Sequence, residues 1–206
     1  MSVQAGAVRI SAALAWYWVW AEISGEQFSA ATAARRRLGG SPAGQQHVPM
    51  TEEFHASLLA ITACAYSLDA LDNALLLDED ILAAKPNLPA KQNGRKTRRD
   101  EYVFALLQKV CRTSVKAAEI EMVFKVRNDA VHPDSGPHDP LFHPPVSSHV
   151  AAPFATYDEQ KARLTMDITA RVYAELLQQL EPVAEDWVRS QKGLIEQSIA
   201  ALTAKR

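Results

Sequence analysis

Apolar residues recur along this chain at intervals of three and four, and alternating apolar–polar runs are scarce. That period is helical, so the pattern predicts an all-α protein. Helix one is expected over residues 4–38. Ile10, Ala13, Leu14, Tyr17, Trp18 and Ala21 form one apolar face, and Trp16, Val19, Trp20 and Ile23 form another. A helix apolar on two sides must bury both. One side is expected to pack on its own domain and the other on a second copy, which predicts a homodimer. Arg35, Arg36 and Arg37 occupy its last turn, where cations suit the helix dipole, and GGSPAG (39–44) breaks the chain.

Helix two is expected to start at Thr51, with the Thr as N-cap and acids in the first turn of TEEF. Phe54, Leu58, Ile61, Ala65, Leu68, Leu71 and Leu75 give a core stripe that runs to about residue 79. A Pro-containing loop follows. The stretch from Lys85 to Arg99 holds six cations and no acid. Helix three is expected at about 99–112 and helix four at about 114–132. Residues 133–156 carry six prolines and read as loop. Helix five begins near Tyr157, with Leu164, Ile168, Val172, Leu176 and Leu180 on its core face. Pro182 should kink or end it, and a last helix carries Trp187, Leu194, Ile195, Ile199 and Leu202. Short connections favour an antiparallel up-and-down helical bundle over 1–182, extended by a C-terminal helix over 183–206.

Composition narrows the function classes. The chain has 206 residues, 48% of them hydrophobic, enough for one sizeable core. Its formal net charge of −2 excludes a polyanion binder that uses its whole surface, so any nucleic-acid contact must use a local patch. Cys64 and Cys111 lie in separate helical blocks without metal spacing and read as small core residues. The Trp-rich segment Ile10–Ile23 is too short to span a bilayer and contains Glu22. No membrane association is expected, and the chain reads as cytoplasmic.

The stretch FKVRNDAVHPD (124–134) carries the candidate chemistry. Ile120, Val123, Phe124, Arg127 and Val131 share one face of helix four, so Arg127 projects from an apolar face. A guanidinium there needs an acid or an anionic ligand. Asp69 and Asp72, beside the core stripe of helix two, are the internal candidates for the acid. Asn128 and His132 are four apart and stack on a neighbouring face. Pro133 pushes His132 out of the α region, which puts its imidazole at the helix C-terminus, where the dipole favours the protonated form. A permanent cation, an amide and a group titrating near neutrality suit phosphate chemistry. Arg can stabilise a phosphorane, Asn can orient it and His can move protons. That chemistry calls for no cofactor and no metal. The competing reading of the same residues is structural: Arg127 pairs with a core Asp, and His132 caps a helix.

The stretch resembles the R-N-x-x-x-H signature of the HEPN (higher eukaryotes and prokaryotes nucleotide-binding) superfamily. Arg127, Asn128 and His132 match it, and the motif stands late in a helical bundle before a loop, as it does in that family. HASLLAITACAYSLDALDNALL (55–76) resembles the family's Ala-rich helix with an acidic residue. The likeness covers about residues 51–180. It implies a metal-independent endoribonuclease, or an RNA-binding relative, of the kind found in toxin–antitoxin and phage-defence systems. In such enzymes a 2′-OH attacks the adjacent phosphate. It also implies a dimer that brings two motifs together, and a separate antitoxin protein as partner. Each chain supplies one motif histidine, while the reaction wants both a general acid and a general base, so two copies agree with the chemistry. Lys91, Arg95, Lys96, Arg98 and Arg99 would then hold RNA phosphates; their structural alternative is a solvated loop. The family subgroup with Tyr two residues beyond the His is not matched, because Asp134 stands there. A catalytically inactive helical interaction module is the second reading. A third places a metal among His132, His138, His143, His149, Asp134 and Asp139, although their spacing fits no specific zinc signature. Trp16, Tyr17 and Trp18 could stack bases, but their helical spacing suits core or dimer contact.

Overall fold

A computed structural model describes the backbone over 2–84, 98–131 and 139–204, and side chains within those spans from Trp16 onward, except at 130 and 131. It is an all-α helical bundle. The elements are α1 (Ser2–Gly40), α2 (His47–Leu75), α3 (Glu79–Ala83), α4 (Arg99–Val110), α5 (Ala117–Val131), β1 (Leu141–His143), β2 (Ser148–Val150), α6 (Ala152–Thr156), α7 (Glu159–Gln178) and α8 (Glu185–Thr203).

The long helices α1, α2, α5, α7 and α8 alternate in direction. Ser24 bonding Ala60 and Cys64 at one level, and Arg35 bonding Glu53 at another, set α1 and α2 antiparallel. Small residues make their close approach possible: Ala56, Ser57, Ala60, Ala63, Cys64 and Ser67 line the α2 face toward α1 and are buried. Tyr17 stacks on Tyr173 of α7 and touches Trp187 of α8. Gly25 of α1 lies so close to α8 that a Cβ there would overlap the Ala201 carbonyl. Trp187, Ile195 and Leu202 of α8 join the same core as Ile61, Leu68, Ile120, Phe124 and Ile168. The C-terminal helix α8 thus shares the core of the bundle.

Several predicted boundaries move. α2 begins at His47, not Thr51, and its N-cap position is Gln46. Pro49 causes no break because first-turn N–H groups have no intrahelical acceptor. Thr51 sits inside the helix and donates to the His47 carbonyl at 2.9 Å. The helix ends at Leu75, and Asp78 opens the separate turn α3 by accepting from the Asp80 and Ile81 amides. The Pro-rich region is not all loop. β1 and β2 pair antiparallel, Leu141 opposite Val150 and His143 opposite Ser148, around a 3₁₀ turn at Pro144–Val146. Ser147 closes the turn in the left-handed region at φ 48°. α7 starts at Glu159, with Asp158 as its N-cap. Of its expected core face, Ile168, Val172 and Leu176 are buried, while Leu164 is exposed; Ala162, Met166, Thr169 and Tyr173 are buried as well.

α2 is, by length and mean hydropathy (1.3), the one described helix able to cross a membrane, and 56% of its apolar window is buried inside the bundle. Cys64 and Cys111 are buried free thiols, as their helical positions predict. Burial pushes the Cys64 thiol up to about 11 and the Cys111 thiol up to about 12.

Candidate functional site

α5 is built to present Arg127. Ile120, Val123 and Phe124 are buried, and one turn further along the same face stands Arg127, half-buried. Its Cζ lies 5.4 Å from the centre of the Tyr66 ring on α2 and 5.9 Å from that of Phe124. Its Nε is shielded from solvent and has no hydrogen-bond partner. Ring faces attract a guanidinium through their quadrupole, by about 0.5–2 kcal/mol, without neutralising it. Tyr66 in turn packs on Trp20 of α1, the ring centres 4.9 Å apart. Asn128 is exposed beside Arg127, and Asp129 pairs with Lys125 one turn back. His132 follows the last residue of α5 and lies outside the described residues, as do Asp134 and His138.

The acids predicted to support Arg127 serve a different arginine. Arg99 donates through Nε to Asp69, lies 2.7 Å through Nη2 from Asp72, and reaches Asn73 Oδ1 at 3.2 Å. Asp72 is 3% exposed, so Arg99 places a cation against a nearly buried carboxylate. The correction has a geometric reason. α5 crosses α2 with Arg127 level with Tyr66, whereas the start of α4 comes level with Asp69 and Asp72. Among the described residues Arg127 therefore has rings and solvent around it, and no carboxylate.

The basic stretch divides accordingly. Lys91, Arg95 and Lys96 lie outside the described residues. Arg98 and Arg99 are engaged within the fold. Arg98 binds Asp100 at 2.8 and 3.1 Å and Glu121 at 2.8 Å. These two arginines lock α4 onto α2 and α5, so less of their charge is left for a phosphate backbone than the sequence suggested.

Sequence reasoning missed a second polar cluster. Arg35 of α1 donates to Glu53 Oε1 of α2 at 2.7 Å and lies 3.5 Å from His143 Nε2 of β1 and 3.7 Å from Asp158 ahead of α7. Glu53 Oε1 also accepts the Glu159 amide at 3.1 Å. Glu53 is 2% exposed and His143 1%. Burial raises the Glu53 carboxyl above the usual range, against the pull of Arg35. Burial first, and then Arg35, lower the His143 imidazole. The cluster ties the hairpin and the start of α7 to the α1–α2 pair. Its one sequence signal is an acid one turn ahead of the small-residue stripe of α2.

Of the histidines grouped in sequence as a metal set, the described pair diverges. His143 points into the core, while His149 is exposed and packs against Phe142. Adjacent strand positions face opposite ways, so these two cannot share an ion on one face of the hairpin. Compared with known protein families, with curated proteins and with solved structures, the chain matches none.

Proposed function

We propose that this protein is a HEPN-like RNA-cleaving or RNA-binding protein whose site is Arg127, Asn128 and His132, acting as a homodimer without metal. One observation supports the reading above others. Arg127 emerges from an apolar helix face, held by the Tyr66 and Phe124 rings, with no carboxylate among the described residues. A half-buried guanidinium in that setting keeps its full charge for an outside anion. Had Asp69 or Asp72 paired with it, the structural reading of the motif would have sufficed.

In this mechanism Arg127 binds the non-bridging phosphate oxygens and stabilises the charge that builds as the RNA 2′-OH attacks. Asn128, exposed next to it, hydrogen-bonds the same group. One copy of His132 takes the 2′-OH proton, and the His132 of a second copy protonates the leaving 5′-oxygen. A separate antitoxin protein would act by covering this site.

The test is cleavage of single-stranded RNA by purified protein in excess EDTA. His132→Ala should lower the rate by about 10²–10⁴, the usual contribution of a general acid or base. Arg127→Ala should lower it by a similar factor while the helical circular dichroism persists. Mixed dimers with one His132→Ala subunit should keep little activity. A wild-type protein that binds RNA yet never cuts it would remove the enzyme reading and leave a binding module. Cleavage unchanged in His132→Ala would place the chemistry elsewhere.

A further inference from the structure

Arg127 is one end of a row of side chains that crosses from α5 to α1. After its guanidinium come the Tyr66 ring, then the Trp20 ring, and one helical turn back along α1 stands Trp16. Trp20 and Tyr66 are half-buried, and Trp16 is 56% exposed. A Trp that open to water forgoes most of its burial energy, and here it continues a row that ends in a cation with no carboxylate partner among the described residues. A cation followed by aromatic rings mirrors a single RNA strand, in which each charged phosphate is followed by a base with a stacking π face.

We propose that Trp16, with Trp20 and Tyr66 behind it, is a base-stacking subsite that takes a nucleobase of single-stranded RNA further along the strand whose phosphate Arg127 holds. The assignment rests on the RNA reading of the Arg127 site and adds the substrate class: an unpaired strand, selected by stacking and not by base identity. Three features fit that occupant. The neighbouring charge is positive and open to an anion. Trp16 is open to solvent, and an aromatic ring can stack on any base. The bases of a duplex are already stacked on one another and cannot reach such a surface. Tyr66 has a second duty: lying between Trp20 and Arg127, it fixes how far the stacked base stands from the phosphate.

The experiment uses the full chain carrying His132→Ala, so that bound RNA survives. Fluorescence anisotropy compares labelled hexauridylate with an abasic ribose–phosphate strand of the same length and charge. The expected result is tighter binding of hexauridylate. Trp16→Ala should weaken hexauridylate by about 5- to 150-fold, the range for one stacked base, and leave the abasic strand unchanged. Tyr66→Phe should behave as the parent does, and Tyr66→Leu should lose the preference for bases. Equal binding of both strands by the parent would overturn the subsite while leaving an RNA-binding protein. Binding of neither would overturn the RNA reading itself, and this one with it. If Trp16→Ala weakens both strands equally, or turns a dimer into a monomer, the ring belongs to a contact between copies and the subsite is wrong.

Discussion

His143 Nε2 lies 3.5 Å from the Arg35 guanidinium, which can only donate, so a bond between them needs the neutral imidazole to accept there. Four charged or titratable groups meet at this point from α1, α2, β1 and the N-cap of α7: Arg35, Glu53 (3.8 Å from His143), His143 itself and Asp158. The imidazole value is lowered in the fold, so below its ordinary 6.5 the unfolded chain binds the proton more readily than the folded one. Stability linked to His143 is therefore fully present above 6.5 and is lost as pH falls through that value. Glu53 has the opposite sign. Its raised carboxyl takes up a proton at higher pH in the fold than in the unfolded chain, which opposes the loss linked to His143. The His143 contribution to the melting temperature should thus fall between about pH 7 and about pH 5.5. His143→Asn should flatten that slope. Thermal melts followed by circular dichroism check it, and an equal slope in the variant would show that other groups carry the pH dependence.

Two glycines separate helix propensity from packing at the scale of the element. Gly25 and Gly193 both sit inside helices, where Gly costs about 0.5–1 kcal/mol relative to Ala. At Gly193 nothing lies within 4 Å of a built Cβ, whereas at Gly25 the Ala201 carbonyl occupies that space. Gly193→Ala should stabilise by about 0.4–1 kcal/mol. Gly25→Ala should destabilise by about 1–3 kcal/mol despite the same gain in propensity, because α8 must move off α1. Urea unfolding measures both, and equal effects would mean that the α1–α8 approach is looser than the geometry requires. α1 also illustrates what a two-faced apolar helix becomes. Tyr17, Ala21, Phe28, Ala31 and Leu38 are buried, while on the second face Trp16 is exposed and Trp20 covers Tyr66. The second face is thus partly met within the chain.

Assembly is the prediction that belongs to the whole molecule. One chain carries one motif histidine, and the cleavage proposed needs an acid and a base on opposite sides of the phosphate. Light scattering at micromolar concentration should therefore return twice the chain mass. A monomer with full ribonuclease activity would remove the two-copy mechanism. Neutralising Lys91, Arg95 and Lys96 should flatten the salt dependence of RNA binding by about one power of salt per lost contact. Arg99→Ala should instead cost stability, since it leaves the Asp72 carboxylate, 3% exposed, without the guanidinium against it.

The helical period determined the helix class, the α2 stripe from Ile61 to Leu75 and the core placement of both cysteines, because each depends on residues within one or two turns; the glycines of GGSPAG (39–44) marked the break, although α1 runs on through Gly40 where helix one was expected to end at 38. The period also determined that Arg127 leaves α5 on the apolar face. The tertiary structure decided which groups meet. Glu52 and Glu53 are adjacent in sequence, yet one pairs with Arg37 at the surface and the other is buried against Arg35 and His143. Asp69 and Asp72 went to Arg99 and Arg127 went to Tyr66 for the same reason. A charge on a helix has several candidate partners at equal sequence cost, and the choice is made by how far one helix slides along another. That offset is set by the fit of small residues such as Gly25, Ala60 and Cys64, summed over the entire interface, and no local spacing records it.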